Sequence, residues 1–433
     1  MEYYISEWFN LLFRWLHFIT GAAWIGTSFY FNWLNHNLRA PEDEQRRGEG
    51  IAGELYAVHG GHFYQVSKYA GAPEKLPKTL HWFKWEAYFT WITGFCLLGV
   101  VYYWRARANL IDDQAMAWSE PWQPALLGVA CLVVGWFVYD LLCKSPLGQR
   151  PVAFALVGFT IMTAVAYGLT HVFSGRAAYI HVGAMIGTMM AANVFFVIIP
   201  NQRTMVDAML RGETPDTSLG QQGAQRSLHN NYFTLPVLFI MVSNHYSMTY
   251  GHAWNWAILA ALSVIGAGAR HYFNLKHQGR HNVWILPAAA VGMIALAFVS
   301  RPTPQPVMAA ASVIRDDQSQ AKGATEIAAA SSTRPQAPRT HLTYSSIAPI
   351  IEKHCVSCHA PRPNNPLWPM PTPPKGLDLT TPESVKRNAA KIMAQAVNAK
   401  IMPLANQTKM TDAERAQLGA WIRGGALLDK PSP

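Results

Sequence analysis

Eight apolar stretches, each long enough to form a membrane span, fill most of the first 300 positions: 9–33, 83–104, 124–143, 151–172, 178–199, 232–250, 254–273 and 282–300. A helix of about 20 residues crosses a ~30 Å hydrocarbon core. In lipid, every backbone N–H and C=O must find its partner within the protein. Such a chain is therefore expected to be all-α, a polytopic membrane helix bundle of about eight transmembrane helices. Gly, Ala and Ser recur inside the stretches, where they let neighbouring backbones approach. Only 14% of residues are charged, against about 25% in soluble proteins. The mean hydropathy of +0.05 averages this region with a polar C-terminal third. The 16 Trp and 17 Tyr suit interfacial belts.

Loop charges set the expected orientation. One side collects Arg39, Arg46, Arg47, Lys68, Lys75, Lys78, Lys144, Arg150, Arg203, Arg211, Arg226, Arg270, Lys276 and Arg280. The other has Arg105, Arg107, Arg176 and Arg301. The richer side is expected to be cytoplasmic, with both termini periplasmic. The net charge of +10 is thus a matter of topology and not of nucleic-acid binding. No basic run precedes the first span and no small-residue cleavage site follows it, so that span is expected to be retained.

Residues 301–340 are rich in Pro, Ala, Ser and Gln, a composition that buries no core and reads as a flexible linker. This divides the chain into a membrane domain at 1–300, the linker, and a small helical domain at 341–433. In the last part Cys355-Val356-Ser357-Cys358-His359 is C-x-x-C-H, the pattern of covalent haem attachment. Two thiols three residues apart share one helical turn and can each bond a vinyl group, and the adjacent His reaches the iron. The other reading is a chance match or a zinc knuckle, and no second Cys pair is present to complete a zinc site. A Met ligand is expected opposite the His. Met402, stiffened by Pro403, is the first candidate, with Met370, Met393 and Met410 as competitors. Thr411 to Glu414 forms a capping box for a last helix, whose Leu418, Trp421 and Ile422 are placed to pack on a first helix at 347–359. This is a class I-like cytochrome c domain holding one haem c. Haem attachment is periplasmic, which agrees with the charge pattern. Cys96, Cys131 and Cys143 lie in or beside apolar spans and read as buried hydrophobes.

Ionisable residues at membrane depth are functional candidates. His17, His171, His181 and His245 fall on four spans and in the same outer half. They read either as ligands of one or two non-covalent haem b groups or as interfacial histidines bonded to neighbouring helices. On the cytoplasmic side, His59 lies in an unusually long loop. With Lys84, Glu86 and Asn231 it could form a pocket for a planar polar ligand. Lys84 and Glu86 read equally as an ion pair or an interfacial anchor.

Several blocks carry a resemblance: Trp15-Leu16-His17-Phe18 with Ala23-Trp24-Ile25-Gly26; His81 to Tyr88; His181 to Met185, running to Asn193 through Arg203; His229-Asn230-Asn231-Tyr232 with Ser243 to Tyr246; and the terminal C-x-x-C-H. In these the chain resembles the membrane-integral, cytochrome c-linked urate oxidase family called PuuD. The resemblance implies a bacterial inner-membrane oxidoreductase in which residues 1–300 oxidise urate to 5-hydroxyisourate with oxygen from water. Electrons would leave through the C-terminal haem to soluble cytochrome c or another respiratory acceptor, without hydrogen peroxide. The first span is also similar to that of the HemJ/CopD membrane proteins, which favours His17 as a haem b ligand. The competing function is a non-catalytic b/c-type cytochrome that relays electrons from quinol or a partner dehydrogenase; a third reading is a haem- or copper-handling protein.

Overall fold

Each of the eight apolar stretches is helical in the computed structural model. It describes residues 2–71, 73, 79–112, 115–301, 342–365, 368, 373–374, 377–398 and 400–429. Apart from its first residue, Arg301, the linker at 301–340 lies outside the described residues, as do Met370, Lys75 and Lys78. The chain divides into two units, Met1–Tyr250 with Trp254–Val299, and Gly251–Ala253 with Ser300–Pro433.

In the first unit the long helices are α1 (Glu2–Asn37), α3 (Trp85–Leu98), α5 (Trp122–Lys144), α6 (Pro151–Thr170), α7 (Gly175–Ala192), α8 (Ile199–Leu210), α9 (Thr217–Ser243), α11 (Asn255–His277) and α12 (Ile285–Val299). Short helices α2 (Glu44–Gly48), α4 (Ala106–Asn109) and α10 (Ser247–Tyr250) lie between them. Among the described residues, three helical runs are long and apolar enough to cross a membrane: Trp122–Lys144, Pro151–Thr170 and Gly175–Leu210. The last of these joins α7 to α8 through a π-helical turn, Asn193–Ile198. Pro200 has no N–H to give to the preceding turn, and wider turns of this kind are common where the helical ladder is interrupted. Polar caps start the helices that follow loops. Ser174 Oγ accepts from the Ala177 N–H ahead of α7, and an Asp216 carboxylate oxygen accepts from the Ser218 N–H ahead of α9.

Two expectations need correction. The segment 36–82 is not simply a loop, and the chain is not purely α-helical. Strand β1 (Ile51–His59) pairs antiparallel with β2 (His62–Tyr69). Gly60 and Gly61 join them with φ of +58° and +78°, the backbone of a tight two-residue hairpin that side-chain-bearing residues adopt poorly. Lys68 Nζ donates to Asn35 Oδ1 at 2.6 Å, and Arg46 pairs with Glu54 at 2.8 Å. The first ties the hairpin to the end of α1 and the second ties it to α2. Secondly, α9 begins at Thr217, well ahead of the expected 232. Arg226 thereby becomes a helical residue only 3% exposed, and Arg270 in α11 is 5% exposed. Neither is a loop cation, because both sit on helix faces covered by neighbouring helices.

The second unit contains α13 (Tyr344–Ile351), a π turn Glu352–Val356, α14 (Pro382–Arg387), α15 (Ala389–Ile392), a π turn Met393–Asn398, and α16 (Asp412–Arg423). Its core gathers Ile347, Ile350, Ile351, Leu379, Val385, Met410, Leu418 and Trp421. Leu418 and Trp421 lie one turn apart on α16, so one apolar stripe of that helix is buried. The capping box is present: Glu414 N–H donates to Thr411 Oγ1, and Thr411 N–H donates to Glu414 Oε2. Glu414 also accepts from buried His354 and from Lys353, both at 3.0 Å. The Thr411 N–H bond, reinforced by His354 and Lys353, holds the Glu414 carboxyl well below the usual carboxylate range.

A depressed carboxyl adds stability above its unfolded value of about 4.3 and loses it as pH falls toward the folded value. Thr411→Ala should weaken α16 by about 1 kcal/mol. Glu414→Gln should do the same at neutral pH and flatten the acid limb of stability. Hydrogen exchange of residues 412–423 across pH 3 to 7 checks this. Protection unchanged by either substitution would show that the cap is idle.

Candidate functional site

The polar chemistry of the first unit concentrates on four consecutive residues of α9, each bonded to a neighbouring helix. Tyr139 Oη of α5 lies 2.9 Å from His229 Nδ1. Asn230 Oδ1 accepts from Asn193 Nδ2 at 2.8 Å, and its amide donates to the Met190 carbonyl of α7 at 3.0 Å. Asn231 turns to α11, and Tyr232 Oη meets His271 Nδ1 at 2.7 Å. Adjacent helical residues point about 100° apart, so the run serves two different faces.

On the first face, Asn193 stands at the start of the π turn and is fully buried. Its amide donates to both Tyr139 Oη and Asn230 Oδ1, and its carbonyl accepts from Arg226 Nη1 at 3.3 Å. Arg226 Nη2 donates to Asp140 at 2.7 Å, and Lys144 meets the same carboxylate at 2.6 Å. The Arg226 guanidinium lies over the rings of Trp136 and Tyr139, and His229 stacks on Phe154. This network is satisfied and its buried cation has a counter-ion.

The second face is different. Asn231 Oδ1 accepts from Arg270 Nε and from Asn274 Nδ2, each at 2.9 Å. Asn32 of α1 donates to Asn274 Oδ1 at 3.1 Å. The Arg270 guanidinium stacks on Phe29, 4.2 Å from the ring centroid. Two buried nitrogens, Arg270 Nη2 and Asn231 Nδ2, have no acceptor. No ion pair reaches Arg270 among the described residues. A buried cation without a counter-ion is costly. One or two turns further along the same helices, the ends of α1 and α11 line a cavity of about 690 Å³ that includes Trp33, His36, Arg39, Lys276, His277 and His281.

The residues expected to form a pocket are not joined to one another. His59 is exposed at the hairpin turn. Lys84 Nζ lies over the Trp85 ring at 5.2 Å and forms no ion pair with Glu86. Glu86 Oε2 is buried without a partner. Only Asn231 belongs to a polar cluster. Its partner Arg270 went unrecognised because it was counted with loop charges, although it falls inside the apolar stretch 254–273, where a cation is itself a signal.

The four outer histidines also differ. His181 is fully buried, with Nδ1 on the Ala177 carbonyl at 2.8 Å, Nε2 3.2 Å from Tyr103 Oη, and Phe173 against its ring. His17 is partly buried, with Nδ1 on the Thr90 carbonyl at 2.9 Å. Close helix approach frames both rings: a Cβ on Gly94 would meet His17 at 2.8 Å, and one on Gly128 would meet His181 Nε2 at 2.6 Å. His171 and His245 are exposed. None of the four makes a hydrogen bond or ring contact with another. Among the described residues, no group of three or more His, Cys, Asp or Glu gathers as a metal site.

In the second unit, Cys355 and Cys358 are free thiols on one turn, with the Cys358 and His359 N–H groups donating to the Cys355 carbonyl. Burial pushes the Cys355 thiol up to about 12 and raises Cys358 as well. His359 Nδ1 is engaged by the Leu377 carbonyl at 3.0 Å, the second-partner bond that a ligating histidine makes through the nitrogen not on the metal. Cys355 and Met402 both pack against the same apolar core. Buried Arg415 donates to the carbonyls of Met402, at 2.7 Å, and Ala396, and to Asn406 Oδ1, so it clamps the Met402 loop. Met410 is 2% exposed inside the core. Met393 opens the second π turn and is partly buried. Cys355, Cys358 and His359 are thus the residues that could hold a covalent haem, with Met402 on the clamped loop packed against the same core as Cys355.

Removing one partner of a buried ion pair strands the other, at a cost of about 3–5 kcal/mol. Asp140→Asn should therefore destabilise the first unit by that order, and Lys144→Ala, on an exposed cation, by about 0.5 kcal/mol. Thermal unfolding in detergent checks the ranking. Equal effects would show that the Arg226 pair carries no special weight.

No curated protein and no solved structure matches this chain. The family described as Urate oxidase N-terminal matches residues 3–301. That match covers the first unit from residue 3 onward, including the α9 run and both faces that it serves, and the chain belongs to the urate oxidase N-terminal family.

Proposed function

We propose that this chain is a membrane-bound urate oxidase that delivers electrons to a c-type haem in its own C-terminal domain. The observation that supports this most is the joining, in one chain, of a urate oxidase family region to a Cys355–Cys358–His359 turn with its imidazole oriented by Leu377. Urate and water would give 5-hydroxyisourate, two protons and two electrons. The electrons would pass to soluble cytochrome c or another respiratory acceptor. Oxygen is not reduced in this scheme, so no hydrogen peroxide forms.

A bound haem c would supply a one-electron relay. Cys355 and Cys358 would tether it, His359 would ligate its iron, and Met402, on the loop clamped by Arg415, would supply a thioether ligand. Of the four outer histidines we retain His17 and His181 as candidate ligands of a non-covalent haem b. Each has Nδ1 on a backbone carbonyl, as ligating histidines do; His171 and His245 are exposed. The eight helices that coincide with the apolar stretches would all span the bacterial inner membrane, with both termini in the periplasm. Residues 301–340 would be the flexible link.

Anaerobic mixing of the oxidised protein with urate tests the reading. Prompt reduction of the haem absorption bands, with two electrons delivered per urate consumed, is expected. No reduction by urate, alongside normal reduction by a quinol, would replace it with the relay. Met402→Ala should leave the covalent haem attached but lower its midpoint potential, since loss of the thioether disfavours the reduced iron. A potential equal to the wild type would point to Met393 or Met370 as ligand.

A further inference from the structure

The two buried arginines of the first unit make a controlled comparison. Both lie on helix faces at 3–5% exposure and both stack on aromatic rings. Arg226 has Asp140 at 2.7 Å. Arg270 has amides and no carboxylate, and its Nη2 and the neighbouring Asn231 Nδ2 point to nothing. Both unpaired atoms are donors, so what the site lacks is acceptors and one negative charge. The orientation of Asn231 is fixed, since its Oδ1 must face the two donors from Arg270 and Asn274. Its amide nitrogen is therefore left over by geometry.

We propose that Arg270 and the Asn231 amide anchor the anionic edge of the substrate, a planar oxopurine anion. The proposal rests on the urate reading above and gives it a site. A deprotonated oxopurine carries ring nitrogens and carbonyl oxygens as acceptors in one plane, which a planar guanidinium can meet side-on. Its charge supplies the counter-ion that the fold withholds. Phe29 covers one face of the guanidinium and excludes water there.

The route of entry follows from helix periodicity. Asn274 and His277 lie one and two turns beyond Arg270 on α11, and Asn32 and His36 stand in the same relation to Phe29 on α1. Asn32 and Asn274 are bonded to each other, and His36 and His277 line the cavity at the helix ends. Arg39 and Lys276 line it too, giving an entrance that attracts anions. The Asn32–Asn274 pair then forms the polar layer between the cavity and Arg270.

Asn231→Asp separates a binding role from a structural one. It is close to isosteric and places a carboxylate beside Arg270, so the variant should fold with unchanged or higher thermal stability. Anaerobic equilibrium dialysis of labelled urate against the purified full-length protein reads binding directly. Asn231→Asp and Arg270→Gln should each weaken urate binding by about tenfold or more, the scale of a lost charge-assisted contact. Arg270→Lys should fall between them and the wild type. KM in cytochrome c reduction should rise in parallel. If Asn231→Asp and Arg270→Lys bind urate as the wild type does, while the wild type oxidises it, the site assignment is overturned and the function stands. If urate binds through these residues but delivers no electrons, the site stands and the oxidase reading falls.

Discussion

A polar group buried in an apolar bundle must find its partner on another helix, and this condition fixes how α9 sits. His229, Asn230, Asn231 and Tyr232 reach α5, the end of α7, and α11. Hydrogen bonds are directional and helix faces are about 100° apart per residue. Sliding or turning α9 by one residue would break the bonds on both faces together. Apolar packing alone imposes no such register, because it tolerates volume-conserving rearrangement. The four-residue run thus acts as the alignment key for its neighbours, and the Asn193 π turn presents the matching amide from α7.

The two faces of α9 solve the burial problem differently. Around Arg226, charges are matched within the chain, with Asp140 on one guanidinium nitrogen and Asn193 on another. Around Arg270, the described residues supply amides and an aromatic ring but no anion. Buried ion pairs stabilise little in net terms, whereas buried unpaired charge is strongly unfavourable. The first arrangement is what fold specification requires. The second has the form of a binding site that trades stability for an incoming charge.

The C-terminal unit shows the same division of labour between core and site. Ile347, Ile351, Leu418 and Trp421 fill the interior. The groups with chemistry stand at its edge and are oriented by backbone carbonyls or by Arg415. Leu377 sets the His359 ring, and Arg415 fixes the carbonyls on either side of the Met402 loop.

Much of this was legible in the sequence. Apolar length placed a helix under each of the eight stretches, and three described runs are long and apolar enough to cross a membrane, but it could not find the polar start of α9 at Thr217. The C-x-x-C-H spacing marked Cys355, Cys358 and His359 as one turn, because its residues are contiguous, and the Thr411–Glu414 box marked the start of α16 for the same local reason. Gly60-Gly61 between strand-like runs was a hairpin signal as well, hidden by the expectation of a loop. What sequence could not decide was which polar residues meet. Asn231 and Arg270 are 39 positions apart, Asn32 and Asn274 are 242 apart, and only the packing of α1, α9 and α11 brings them together. Local chemistry is written in neighbouring residues. The pairing of distant donors and acceptors, and the absence of a carboxylate beside Arg270, follow from helix register, which only the tertiary structure sets.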